Sequence, residues 1–204
     1  LDAVKRLEAE GATIEKVSLE YNKHVLPVYY LISSSEASAN LARFDGIRYG
    51  YSEEHPSLLD VYSKTRGAGF GKEVRRRILL GTYVLSHGYY DAYYGSAVKV
   101  QNAIRRELQA TFDVVDVIMT PTAPTLAFKF GEKAQDPVSM YLSDIYTIAA
   151  NLAGLPGISI PAGFLQNLPV GLQMIGKHFD ESRLLNAAHQ FQQMTDWHKA
   201  MPEM

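Results

Sequence analysis

Residues 27–43, PVYYLISSSEASANLAR, place Val28, Leu31, Ile32, Ser35, Ala39 and Ala42 at helical spacing. The stripe passes through three consecutive serines without a change of phase, and that continuity constrains the chain more than any other stretch. Pro27 suits a first helical turn, where its missing N–H costs little. Gly46, in FDG, offers the way out of the helix. The spacing predicts one helix over 27–43. A rival reading makes Ser33 an N-cap with Glu36 as its capping-box partner, which starts the helix later and leaves VLPVYYLI as a strand. Inside the helix, Ser33, Ser34 and Ser35 are small residues that permit close packing, with hydroxyls bonded back to the preceding turn. A nucleophilic serine needs an activating base and an oxyanion pocket, and no adjacent residue supplies them.

Helices and strands alternate elsewhere. Residues 2–10 read as a short helix stopped by Gly11, and ATIEKVSL reads as a strand with Ile14 and Val17 as its apolar positions. Together they form a local α/β unit. GIRYGYSEEHPS is a polar loop, residues 57–65 a short helix and RGAGFG a flexible turn. A helix is expected over 72–85. His87 and Gly88 interrupt it before a second long helix, 89–112, where Tyr89, Tyr90, Tyr93 and Tyr94 pack as amphipathic core and interface residues. DVVDVIMT (113–120) is the strongest strand signal, running into the rigid loop PTAPT. Asp136 and Pro137 open a helix as cap and first-turn proline, and it extends to Leu152 before stopping at Gly154. GISIPA and PVGLQMIG are two strands joined by a tight turn around Asn167, and residues 180–194 make a last helix. There is no internal repeat and no low-complexity segment.

With 204 residues, 47% of them hydrophobic, the chain can bury one substantial core. A net charge of −2 gives no electrostatic reason to expect a direct nucleic-acid surface. Arg75, Arg76 and Arg77 are the one basic run, and Glu73 sits beside it. The absence of cysteine excludes disulfides and thiolate metal sites. No apolar run reaches the roughly 18 residues that cross a bilayer. The six histidines show no ligand spacing, so no metal site is expected. Because the chain opens on Leu1, inside an apparent helix, it is expected to be an internal fragment of a longer polypeptide.

Two charged residues meet apolar faces. At about 100° per residue, Arg77 falls between Gly81 and Val84, on the apolar side of its helix. Asp144 flanks the stripe of Val138, Tyr141, Ile145, Ile148 and Leu152. Arg77 could simply snorkel, and Asp144 could be a buried cap or an ion-pair partner. Taken together they suggest a site for a small zwitterion, with guanidinium for an α-carboxylate and carboxylate for an α-ammonium.

The segments YYLISSSEASANLARFDGIRYG, GFGKEVRRRILLGTYVLSHGYYDAYY, DVIMTPTAPTLAF, IAANLAGLPGISIPAG and LPVGLQMIGKHFDESRLLNAAH together resemble the amidase-signature family. More specifically, they look like the glutamine-using members that serve tRNA-dependent amidotransferases. The resemblance implies an α/β fold, part of an α/β/α architecture with a large mixed sheet flanked by helices. Residues 1–204 would be the C-terminal portion of a single such domain. It further implies a cytoplasmic heterotrimer whose A component hydrolyses glutamine. The ammonia passes to a B component, which uses ATP and Mg²⁺ to amidate Glu or Asp misacylated onto tRNA and holds the tRNA. A small C component helps assembly, and no membrane is involved.

The family's nucleophilic serine, bridging serine and lysine base lie in stretches that this sequence lacks, so no catalytic residue is assigned here. What carries over is substrate binding. Arg77 and Asp144 match the residues that hold the ends of glutamine, and a pocket tyrosine of the YYL segment is assigned to Tyr29 rather than Tyr30. Thr120 and Thr122 are near-site candidates without a role, and turn hydroxyls bonded to local backbone are the plainer reading. A different amidase-signature hydrolase and a non-catalytic docking module are the alternatives.

Overall fold

The computed structural model describes residues 1–134 and 136–202. In chain order its elements are α1 (Asp2–Ala9), α2 (Val25–Leu41), α3 (Leu58–Gly69), α4 (Lys72–Val84), α5 (Ser96–Thr111), β1 (Ile118–Pro121), α6 (Pro137–Leu142), α7 (Ile148–Ala153), β2 (Gly157–Leu165), β3 (Leu168–Ile175) and α8 (Glu181–Gln193). Glu20–His24 and Trp197–Lys199 are short 3-10 segments, and Asp91–Gly95 is a π-helical turn. The elements form two compact units. One comprises Leu1–Leu26 with the residues from Gln101 on, the other Pro27–Val100.

The first unit is built on a three-stranded sheet of order β1-β3-β2, all pairs antiparallel. The resemblance implies a mixed sheet, but among the described residues the three strands pair only antiparallel. Gln166 and Asn167, with φ of 52° and 62°, make the two-residue turn whose twist matches a hairpin, so Leu165 pairs with Leu168. The period of two along β3 then divides its side chains. Leu172 and Met174 join Ile160, Ala3 and Leu7 of α1, and Leu184, Ala188 and Phe191 of α8 in one core. Each large apolar side chain buried there contributes about 1.5–3 kcal/mol. Gly171 and Gln173 fall on the opposite face.

Three sequence expectations fail in this unit. ATIEKVSL is not a strand: residues 12–19 have no regular structure, and Ile14 and Val17 are exposed. The chain instead enters the 3-10 segment, where the Glu107 carboxylate accepts from the backbone N–H groups of Glu20 and Tyr21. The strand expected over 113–120 is confined to Ile118–Pro121. Residues 113–115 still donate to carbonyls of the last turn of α5, which leaves Val114 70% exposed. The single helix expected over 137–152 is two, α6 and α7, separated by the turn 143–147. Its beginning and end follow expectation. Asp136 accepts from the N–H groups of Val138 and Ser139 with Pro137 in the first turn, and Gly154 ends α7 in the left-handed conformation.

In the second unit α2 is continuous through the serines, and the alternative with a strand at VLPVYYLI is excluded. Ser34 and Ser35 are buried. Only Ser35 bonds back, to the Leu31 carbonyl at 2.7 Å; the Ser33 and Ser34 hydroxyls have no partner among the described residues. What the serines provide is proximity. A Cβ placed on Gly81 of α4 would lie 2.0 Å from the Ser34 carbonyl oxygen, so the two helix backbones meet where neither carries bulk. One turn on, Ser38 and Thr82 share a hydroxyl–hydroxyl bond of 2.9 Å.

The short helix expected over 57–65 runs further, to Gly69, absorbing most of the turn predicted at RGAGFG. The helix expected over 89–112 begins instead as a π turn, in which the Gly95 N–H reaches back five residues to the Tyr90 carbonyl at 2.9 Å, and becomes α-helical at Ser96. Tyr89 and Tyr93 stack on each other and on Tyr83, while Tyr90 pairs with Tyr94. Tyr89, Tyr90 and Tyr93 remain exposed.

Candidate functional site

Arg77 lies on the half-buried side of α4, one turn before Gly81, as its helical phase requires. Its Nε donates to Glu73 at 3.1 Å, one helical turn back. The same carboxylate accepts from Arg76. One carboxylate between two guanidiniums leaves an excess of positive charge among the three groups. From α2, the Tyr30 ring lies under the Arg77 guanidinium at 5.2 Å, and Tyr29 and Tyr30 meet edge to face at 5.2 Å. Partial burial works against the cation, but hydrogen bonds to Glu73 and the Tyr29 hydroxyl outweigh it, and the Arg77 pKa is raised. The result is a permanently charged, planar donor held by a carboxylate on its own helix and by aromatic groups on the facing one. Such a group suits an anionic partner, above all a carboxylate that can accept two parallel N–H bonds.

Two of the three residues singled out in the sequence, Arg77 and Tyr29, are therefore in contact within the second unit. Tyr30, set aside in the sequence reading, stands beside them. The signal for it was present: Tyr30, Ser34 and Ser38 recur every four residues, and each stands opposite an α4 residue, Arg77, Gly81 and Thr82 respectively.

Asp144 belongs to the first unit. It is not beside the apolar stripe of a continuous helix, because it sits in the turn 143–147 with its side chain exposed. Its carbonyl accepts from the N–H groups of Thr147 (3.0 Å) and Ile148 (3.2 Å) and from the Thr147 hydroxyl (3.0 Å). The carboxylate is thereby presented from a turn that closes on its own backbone.

On the sheet face opposite the core lies a polar row. Thr120 of β1, Gln173 of β3 and Ser159 of β2 are directly paired across the three strands. The Gln173 amide donates to the Thr120 hydroxyl at 3.0 Å and to the Tyr146 carbonyl at 2.8 Å. Thr122 and Ser159 bond to each other at 2.7 Å, passing over Gly171, where a Cβ would stand 2.7 Å from the Thr122 hydroxyl. Both threonines thus have structural partners, though these are side chains on other strands rather than the local backbone. Gln173 and Ser159 were not anticipated in the sequence.

The Amidase family model matches residues 1–185. The A subunit of glutamyl-tRNA(Gln) amidotransferase from Carboxydothermus hydrogenoformans is 60% identical over 204 residues, all of this chain and 42% of that protein. Its counterpart of the same name from Bacillus licheniformis is also 60% identical, over 205 residues, with the same 42% covered. The chain thus spans less than half the length of the curated relatives it matches. The crystal structure of the glutamyl-tRNA(Gln) amidotransferase A subunit from Thermotoga maritima aligns with a TM-score of 0.65 at 43% identity, over 89% of this chain and 35% of that one. A bacterial aryl acylamidase of the amidase-signature enzymes shares the fold, with a TM-score of 0.73 at 19% identity, over 96% of this chain and 39% of that one. By matched family model, by sequence and by α/β fold, this chain belongs to the amidase family.

Proposed function

We propose that this chain is the glutamine-recognising part of a glutamine-hydrolysing amidotransferase subunit. Arg77 takes the α-carboxylate of glutamine, Asp144 takes the α-ammonium, and Tyr29 braces the guanidinium. The observation that carries this reading is Arg77 itself, a guanidinium kept charged and aimed by Glu73 and Tyr29 in the KEVRRRILLG helix. The near 60% identity to amidotransferase A subunits over the entire chain supports the same assignment. The reaction is acyl transfer. A nucleophile outside these residues attacks the side-chain amide of glutamine, ammonia leaves, and water then releases glutamate from the ester. These residues contribute binding and orientation, so this chain by itself is expected to show no glutaminase turnover.

In the same reading the ammonia is consumed by a B subunit that amidates Glu-tRNA(Gln) or Asp-tRNA(Asn) and holds the tRNA. A C subunit helps assembly, and the complex works in the cytoplasm. ATP and Mg²⁺ belong to the amidation step, and no residue of this chain is assigned to them. The test is Arg77→Ala in the full-length subunit within its complex. A hydrogen bond to a charged group is worth about 1.5–3 kcal/mol, so KM for glutamine should rise at least about tenfold. Amidation supplied with free ammonia should persist. Unimpaired use of glutamine would refute the role of Arg77. Turnover of simple amides by the purified subunit without its partners would favour a free-standing amide hydrolase.

A further inference from the structure

Gln173 is a polar side chain set in an apolar strand, between Leu172 and Met174 of the core. It is only 6% exposed. A primary amide nitrogen has two N–H donors, and both are used. One goes sideways to Thr120, its neighbour on β1. The other leaves the sheet for the Tyr146 carbonyl at 2.8 Å, 27 residues away in sequence. Tyr146 stands two residues after Asp144 in the turn between α6 and α7. Among the described residues, other hydrogen bonds at that turn come from residues close in sequence: Thr147 and Ile148 donate to Asp144, and Lys133 donates to the Ser143 hydroxyl at 2.8 Å. The Gln173 bond ties the turn to the sheet. Without it, a part-buried carbonyl loses this donor, a cost that favours movement of the turn.

We propose that Gln173 is a positioning residue for Asp144. From the rigid centre of the sheet it fixes the Tyr146 carbonyl, and through it the place of the Asp144 carboxylate. Displacements of about 1 Å at a binding group are enough to cost much of its effect. The inference rests on the reading of Asp144 as the partner of the glutamine ammonium, and the experiment separates the two.

In the full-length subunit within its complex, Gln173→Met keeps length and volume but removes both donors. Gln173→Asn keeps the amide and withdraws it by one methylene, a milder change should the methionine variant fold poorly. Each is measured for KM and kcat with glutamine and for Tm, alone and combined with Asp144→Asn. Gln173→Met should raise KM about tenfold and Gln173→Asn by less, each with kcat within about twofold of the parent. In the Asp144→Asn background the same variants should add no further increase, because residues acting through one another are not additive. If Asp144→Asn leaves KM unchanged, the ligand role of Asp144 fails and this inference goes with it. If Asp144→Asn raises KM but the Gln173 variants leave it alone, or multiply it in the double variant, the positioning role alone is overturned.

Discussion

Tyr83 shows how much a single residue's chemistry depends on its neighbours. Its ring lies 4.6 Å from that of Tyr89 and 6.1 Å from that of Tyr93. Hydrogen bonding with Tyr89, then burial and the neighbouring phenols, pushes its pKa up to about 12. An unfolded tyrosine titrates near about 10, so the fold holds this proton more tightly. The resulting stabilisation is complete below about pH 10 and is lost as pH rises through the folded value. Ultraviolet titration should therefore show a late tyrosinate phase that Tyr83→Phe removes, and a wild-type curve without that phase would contradict the assignment. Legibility at this scale was uneven. Helical phase is enough to single out Arg77, because its neighbours along the stripe, Gly81 and Val84, are indeed buried. It misplaces Asp144, since periodicity presumes an unbroken helix. It is silent on Gln173, whose partners stand 53 and 27 residues away and leave no local pattern.

Among the elements, the contact of α2 with α4 carries the sharpest expectation. Gly81→Ala would put a methyl group 2.0 Å from the Ser34 carbonyl oxygen, and backbone cannot turn aside as a side chain can. Overpacking of this kind costs about 1–3 kcal/mol, or more when the helices must separate. A drop in Tm of several degrees checks it. Ser34→Ala should do the reverse, because it deletes a buried hydroxyl that has no partner among the described residues. A gain of about 1 kcal/mol in denaturant unfolding is expected, and a loss would mean that the hydroxyl is bonded. The sequence made α2 legible because one apolar stripe persists over four turns. The Asp136–Pro137 start of α6 was legible because capping is local chemistry. The strand expected over 12–19 was not recoverable, since a strand needs a partner and alternation alone cannot reveal that Glu107 draws the chain into a 3-10 turn. The break at 143–147 likewise answers to contacts distant in sequence.

For the whole molecule, Leu59, Leu79 and Val114 are more than two-thirds exposed, and the chain covers 42% of the length of its relatives. Apolar surface left open in this way promotes association. The chain produced alone should bind an apolar dye such as ANS and sediment as larger species with rising concentration, and the part of a relative's A subunit that this chain does not cover, supplied in trans, should suppress both. A dye-silent monomer would count against the proposal that these residues act within a longer subunit. The fold class was legible at this scale from interleaved helix and strand signals. The division into two units was not, because it follows from which segments meet rather than from any linker composition. That division has a consequence for biosynthesis. Pro27–Val100 is one uninterrupted stretch, so it can assemble as soon as it clears the ribosome. Ala3 and Leu7, made before that stretch, share their core with Met174 and Phe191, made more than 160 residues later. The first of these eight helices to be translated thus waits for core partners made at the far end of the chain.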